Sequence, residues 1–285
     1  MTTLPTTAGG ERIARHALLE PAGLPARHVD VWLPPGYSAD EARRFPVIYM
    51  HDGQNLFDPA AAYGGEVWGV GEALARLMAE EGLTGALIVG VWNSPGRWPE
   101  YMPARPLRAP EGAALRARFV AQAGAEPVSD AYVRFLADEL KPLVDSTYRT
   151  RPEQDSTFVM GSSMGGLISL YALTERPELF GGAACLSTHW PIGGDALVDG
   201  LAAALPPPGR HRLYFDYGTV GLDADYEPFQ LRMDRHLRAV GYREGRDFHS
   251  QGFPGADHNE AAWRERVHLP LRFLLAPLGQ GSSST

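Results

Sequence analysis

The chain has 285 residues, and its 44% hydrophobic and 21% charged residues are typical of a globular protein with a large core. This composition excludes disordered, collagen-like and coiled-coil classes. The net charge of −8 disfavours a nucleic-acid-binding surface, which requires clustered Lys and Arg.

Strand and helix patterns alternate along the chain. They predict strands at 27–33 and 45–50, a helix at 71–80, a strand at 86–91 and a helix at 129–144, whose last turn Pro142 should weaken. A strand at 156–160, a helix ending at 173, and strands at 182–186 and 212–217 follow. The last predicted elements are a helix at 228–240, a strand at 248–253 and a helix at 260–275. This alternation predicts an α/β fold with a mostly parallel central sheet and helices on both faces.

We expect one domain over residues 27–276, preceded by a polar segment at 1–26 that leads into the first strands and followed by a flexible tail at 277–285. Two insertions, near 94–127 and 188–209, lack clear periodicity. In a parallel sheet such insertions usually leave the carboxyl ends of strands, where ligands bind, so both are candidate pocket walls.

The single cysteine, Cys185, lies in an apolar run and is predicted to be a buried thiol on a strand. One cysteine cannot form an internal disulfide, so the chain is compatible with a reducing compartment. The first ten residues lack a secretory signal pattern, and no run of 18 apolar residues is present. We therefore expect a cytoplasmic protein that does not use a membrane as partner.

The most informative motif is Gly161-Ser162-Ser163-Met164-Gly165-Gly166, which fits G-x-S-x-G with Ser163 at its centre. A predicted strand precedes it and an apolar helix follows, which is the context of a nucleophile elbow. Such a sharp turn strains the serine backbone, and glycine neighbours avoid clashes within it. The motif predicts Ser163 as a nucleophile, provided that a base and an acid lie nearby.

In this arrangement the acid and then the histidine follow the serine along the chain. His258 is the best candidate for the base, because it lies in a loop between the last predicted strand and the last predicted helix. For the acid, the loop after the strand at 212–217 contains Asp223 and Asp225, and Asp223 is favoured. Asp257 is a weaker third candidate, and Asp216 is expected to be structural.

An oxyanion hole needs two backbone N–H groups. The amide of Met164, directly after the nucleophile, is one candidate. The other is the amide of Gln54, in the loop after the strand at 45–50, where Gly53 allows the chain to turn back over the site. A metal site could be built from two pairs, His51 with Asp52 and Asp257 with His258. Their spacing matches no fixed pattern of metal ligands, so we expect no metal and no cofactor.

These residues resemble the esterase D-like family of α/β-hydrolases, which includes enterochelin esterases and feruloyl esterases. The resemblance runs from about residue 27 to 275 and is carried by 49–57, by Asn93, Arg97 and 100–103, by the elbow, and by 255–260 with Trp263. It implies an α/β-hydrolase fold with Ser163 as nucleophile, His258 as base, and Gln54 and Met164 as oxyanion amides. The acid loop is the least uniform part of the family pattern.

Several residues near the predicted strand ends are candidate substrate-binding groups. Arg97 and Tyr101 could equally pin their loop, and His189 could equally face solvent. The candidates are Asn55, Trp92, Asn93, Arg97, Tyr101, His189 and Trp190.

The predicted activity is hydrolysis of small-molecule carboxylic esters through an acyl-enzyme. Acyl transfer on the same triad, or a non-catalytic binding role, are the alternatives. The sequence does not define the substrate or the oligomeric state, and a homodimer is one arrangement it allows.

Overall fold

The computed structural model describes residues 2–3 and 12–276, which form nine strands in one sheet. The strands are β1 (Thr2–Thr3), β2 (Arg12–Leu19), β3 (Arg27–Leu33), β4 (Val47–His51), β5 (Leu87–Val91), β6 (Thr157–Ser162), β7 (Gly182–Leu186), β8 (Arg212–Gly218) and β9 (Phe248–Phe253). Their order is β1-β2-β3-β5-β4-β6-β7-β8-β9. The pairs β1/β2, β2/β3 and β3/β5 are antiparallel, and the other five are parallel.

Eleven α-helices are present in the described part of the chain. They are α1 (Val70–Glu81), α2 (Arg97–Tyr101), α3 (Ala104–Arg108), α4 (Ala113–Ala123), α5 (Ser129–Arg134), α6 (Lys141–Thr147), α7 (Met164–Glu175), α8 (Gly194–Ala202), α9 (Glu227–Ala239), α10 (Glu260–Arg266) and α11 (His268–Leu275). Short 3-10 turns occupy Gly53–Asn55, Tyr63–Gly65, Pro110–Gly112, Gln154–Ser156, Trp190–Ile192 and Gly221–Asp225.

The core lies on both faces of the sheet. Along β4, Val47 and Tyr49 belong to one cluster of buried side chains, whereas Ile48 and Met50 belong to the other. This is the alternation expected of a strand covered on both sides. Helices α1, α10 and α11 supply the second cluster, and α2 to α9 supply the first. The predicted mostly parallel sheet with helices on both faces is confirmed.

Two predicted helices are divided in the structure. In the helix predicted at 129–144, a π-helical segment (Phe135–Leu140) separates α5 from α6. Pro142, whose nitrogen has no proton to donate, is the second residue of α6. The helix predicted at 260–275 is split at Val267 into α10 and α11. Pro270 explains this break, because it cannot donate a hydrogen bond to the carbonyl of Arg266.

The segment at 1–26 contains strand β2, which was not predicted. A register shift between His16 and Leu19 interrupts its pairing with β3, and this bulge removes the simple alternation that marks a strand. The expected tail at 277–285 lies outside the described residues. Within the described residues no helix is long and apolar enough to cross a membrane. Cys185 is fully buried on β7.

Candidate active site

The elbow places Ser163 between β6 and α7 with φ 57° and ψ −122°. A positive φ is rare for a non-glycine residue and must be imposed by neighbours. The Ser163 amide donates to the Leu186 carbonyl on the adjacent strand (2.9 Å). Its carbonyl accepts from the amides of Gly166 (3.0 Å) and His189 (3.2 Å). These three hydrogen bonds fix the backbone of Ser163 at the carboxyl end of β6.

The glycines of the motif are required by close approaches. A Cβ on Gly161 would lie 2.9 Å from the backbone carbonyl of Gly165, in the first turn of α7. A Cβ on Gly166 would lie 2.8 Å from Oγ1 of Thr188. Both distances are shorter than real Cβ contacts, so larger residues would displace the elbow.

Backbone strain is concentrated at this edge of the sheet. Among residues 2–3 and 12–276, four non-glycine residues have positive φ, namely Leu18, Asp52, Ser163 and Ser187. The last three directly follow β4, β6 and β7, which are neighbours in the sheet. Strained conformations persist where the surrounding structure holds them, and they cluster at functional sites.

His258 lies in the loop between β9 and α10, and its Nδ1 is 2.5 Å from Oδ1 of Asp223. Both side chains are shielded, with 11% of His258 and none of Asp223 exposed. The imidazole packs edge-on against Trp263, with ring centroids 5.0 Å apart, and against Tyr226 at 5.6 Å. The two other candidate acids differ, since Asp225 is exposed and Asp257 accepts the backbone N–H of His258 (2.7 Å).

The second carboxylate oxygen of Asp223 accepts from the Gly218 amide (2.7 Å) and from Oγ of Ser187 (2.5 Å). Burial would raise the pKa of Asp223, but hydrogen bonds from His258, Ser187 and Gly218 lower it below its ordinary value. An ionised carboxylate only accepts hydrogen bonds, so Nδ1 of His258 carries the proton. In the neutral imidazole with this tautomer, Nε2 is the nitrogen that can accept a proton, as a general base requires.

Behind Asp223 lies a buried cluster that sequence reasoning missed. Oγ of Ser187 accepts from Nε1 of Trp263 (3.1 Å) and from Nη2 of Arg266 (3.0 Å), which leaves its proton for Asp223. Arg266 also lies 3.2 Å from the carboxylate of Asp216 on β8, in the structural position expected for that residue. Ser187 and Arg266 are 79 residues apart, and no local pattern relates them.

The two predicted oxyanion amides belong to adjacent segments. Met164 is the first residue of α7, and the first N–H groups of a helix have no acceptor within it. Gln54 is the middle residue of the 3-10 turn Gly53–Asn55. That turn lies against β5, where a Cβ on Gly53 would come within 2.4 Å of the Gly90 carbonyl carbon. It also approaches the elbow, because Oδ2 of Asp52 would be 3.4 Å from a Cβ on Gly165.

Arg97 and Asn93 bind the carboxylate that precedes this turn. Nε and Nη2 of Arg97 each lie 2.7 Å from an oxygen of Asp52, and Nδ2 of Asn93 donates to it at 2.6 Å. The Asp52 amide donates to the hydroxyl of Tyr101 (3.4 Å), whose side chain is fully buried. Arg97 and Tyr101 thus contact Asp52, ahead of the 3-10 turn, and these contacts are not the expected ones to backbone carbonyls of their own loop.

The remaining substrate-binding candidates are dispersed. Trp92 donates its indole N–H to Asp30 (2.9 Å), and Trp190 is 1% exposed and donates to Gln230 (3.0 Å). Asn55 donates to Glu260 (3.0 Å), which ties the 3-10 turn to the start of α10.

His189 is the candidate that lies beside Ser163. Its amide contacts Ser163, and its Nδ1 is 2.5 Å from the hydroxyl of Tyr226. Burial, followed by the nearby His258 and Arg97, lowers the pKa of His189 to about 4, so the ring is neutral. No group of three or more His, Cys, Asp or Glu side chains able to hold a metal ion occurs at 2–3 and 12–276.

The sheet order and the strand–turn–helix at Ser163 define an α/β-hydrolase fold. Residues 25–272 match the family described as Putative esterase, and the chain belongs to that family. Among curated proteins, it is 25% identical to the uncharacterized protein YbbA of Bacillus subtilis over 194 residues, 68% of each chain.

Two solved structures illustrate the fold similarity. An IroE-like serine hydrolase from Shewanella oneidensis has a TM-score of 0.70 and 19% identity, with 92% of this chain and 79% of that chain covered. The ferulic acid esterase AmCE1/Fae1A from Anaeromyces mucronatus has a TM-score of 0.60 and 19% identity, with 97% of each chain covered. At this identity the comparison establishes a shared fold.

Proposed function

We propose that the chain is a serine hydrolase of carboxylic esters, with Ser163 as nucleophile, His258 as general base and Asp223 as the acid. The observation that carries the proposal is the 2.5 Å contact between Asp223 and Nδ1 of His258 at the sheet edge that holds the Ser163 elbow. This contact assigns the tautomer in which Nε2 can accept a proton. Membership of the esterase family supports ester hydrolysis as the activity.

The reaction proceeds in two halves. Oγ of Ser163 attacks the ester carbonyl carbon while Nε2 of His258 takes its proton, and the buried carboxylate of Asp223 stabilises the imidazolium. The Met164 and Gln54 amides stabilise the oxyanion, and His258 returns the proton to the leaving alcohol. Water then attacks the acyl-enzyme carbonyl and gives a proton to Nε2 of His258. As the bond between Oγ of Ser163 and the acyl carbon breaks, His258 returns that proton to Oγ, and the carboxylic acid product leaves.

The substrate is proposed to be a small-molecule ester, bound by a single catalytic domain that includes strand β2 in addition to the predicted range 27–276. The similar structures include a ferulic acid esterase and an IroE-like serine hydrolase, so aryl esters and siderophore esters are the first classes to test. Acyl transfer to an alcohol would use the same residues and differs only in the group that attacks the acyl-enzyme.

The test is hydrolysis of p-nitrophenyl acetate, butyrate and octanoate, methyl ferulate and a ferric siderophore ester, each with and without an added alcohol. Ser163→Ala should abolish turnover and labelling by a fluorophosphonate, whereas the neighbouring Ser162→Ala is a matched control that should retain both. Wild-type protein that neither hydrolyses any ester nor takes the label would refute the proposal. An acyl-alcohol product in place of the free acid would reassign the activity to acyl transfer.

A further inference from the structure

Helix α2 connects two ion pairs that the triad does not use. On one side, Arg27 and Glu100 form a buried two-point pair at 2.8 and 2.9 Å, and Glu100 also accepts from Oγ of Ser94 (2.6 Å). On the other side, Arg97 forms the two-point pair with Asp52. The first pair fixes α2 to β3. The second pair fixes Asp52, which precedes the 3-10 turn Gly53–Asn55, to α2.

Asp52 has a conformation that needs such support. Its backbone is left-handed, with φ 56° and ψ 45°, and it caps the turn that contains Gln54. Residues other than glycine populate that region sparsely, although Asp enters it more readily than most. Burial would raise the pKa of Asp52, but the charge and hydrogen bonds of Arg97, together with Asn93, lower it, so the carboxylate remains ionised. The ionised carboxylate of Asp52 thus anchors the turn that contains Gln54 through its ion pair with Arg97.

The turn is held at a second point by Asn93. Its backbone amide donates to Oε1 of Gln54 (3.2 Å), and its side chain donates to Asp52. Both ends of the Asp52–Gln54 segment are therefore tied to the stretch that leads into α2.

We propose that Arg97 is a positioning residue of the oxyanion hole, which acts through its two-point ion pair with Asp52 to hold the Gln54 amide where the oxyanion develops. This inference rests on the proposed ester hydrolysis. Arg97 donates two of its N–H groups to Asp52, whose carboxylate balances the guanidinium charge. The guanidinium of Arg97 therefore binds the residue that precedes the 3-10 turn containing Gln54. An oxyanion donor must lie within hydrogen-bond distance of the oxyanion, and a small displacement of the turn weakens catalysis.

Arg97→Lys keeps the positive charge but loses the planar fork, and Arg97→Met loses both. Removing one oxyanion donor costs about 10²–10³ in kcat in a known case, so displacement of the Gln54 amide should lower kcat by roughly 10–100-fold. KM should change less than about threefold. Arg116→Met is the matched control, because Arg116 forms an exposed ion pair with Glu126 within the same insertion. It should leave both parameters unchanged.

The assay follows p-nitrophenyl butyrate hydrolysis, with active sites titrated by a fluorophosphonate so that misfolded protein is not counted. Inhibition by phenylboronic acid, which forms a tetrahedral adduct, should weaken in proportion to the loss of kcat/KM. A higher KM with unchanged kcat in Arg97→Lys would overturn the inference in favour of substrate binding. Unchanged kcat and boronate affinity in both variants would overturn it as well. If the wild type itself is inactive, the proposed function fails instead.

Discussion

Replacing Asp223 with asparagine tests the assignment of the acid, and the structure predicts the orientation of the new amide. One oxygen of Asp223 accepts from the Gly218 backbone N–H, which can only donate. In the Asp223→Asn variant, the oxygen of the side-chain amide would therefore occupy that position, and its NH2 group would face Nδ1 of His258. Nδ1 must then accept, so the proton moves to Nε2 and the base can no longer take a proton from Ser163.

The expected loss follows from this wrong tautomer. In the Ser-His-Asp triad of a serine protease, the corresponding substitution lowers kcat by about 10⁴, equivalent to roughly 5.5 kcal/mol of transition-state stabilisation. We expect a loss of the same order in kcat for p-nitrophenyl butyrate, with KM changed much less. Asp225→Asn is the control, because Asp225 is exposed on the same loop, and it should retain wild-type kcat. Asp223→Asn activity within tenfold of wild type, in a folded protein, would refute the reasoning.

Three further variants test the surroundings of the triad. Gly161→Ala should destabilise the protein by about 1–3 kcal/mol in urea unfolding, because its Cβ meets the Gly165 backbone; unchanged stability would contradict the tight elbow. Ser187→Ala removes a donor to Asp223 and should lower kcat without raising KM; an unchanged kcat would show that this donor is dispensable. The half-buried His189 should account for about 3 kcal/mol of the folding stability that is lost between pH 6.5 and 4, and His189→Gln should remove this contribution.

The sign of the pH effect follows from the lowered pKa of His189. Between its ordinary pKa of 6.5 and the folded value of about 4, the unfolded chain takes up the proton more readily than the folded chain does. Acidification over this range therefore favours unfolding. Equal losses of stability in the wild type and in His189→Gln would contradict the pKa of about 4.

Much of the fold was predictable because the parallel strands are short apolar runs that alternate with amphipathic helices. Strand β7 and strand β9 coincide with their predicted ranges. Strand β2 was missed because a bulge breaks its pattern, and the helix predicted at 260–275 was not divided although Pro270 lies within it. A helix break of this kind follows from the loss of one backbone hydrogen bond. The periodicity of apolar residues does not reveal it.

For the site, strand–turn–helix context selected Ser163 and loop position selected His258. The contacts of Ser187 with Arg266, and of Arg97 with Asp52, join segments far apart in the chain, so local spacing cannot predict them. Trp190 was selected as a pocket aromatic because it follows a strand end. Its burial against the core depends on packing with α9, which composition alone does not indicate.

The acyl-enzyme is the central intermediate of the account, and intact-protein mass spectrometry detects it directly. Wild-type protein mixed with excess p-nitrophenyl butyrate and quenched in acid within milliseconds should gain the mass of one butyryl group, located by peptide mapping on Ser163. His258→Ala and Ser163→Ala should show no such gain on this timescale. An acyl group on any other residue, or rapid hydrolysis with no acylated protein and no initial burst of p-nitrophenol, would contradict the account.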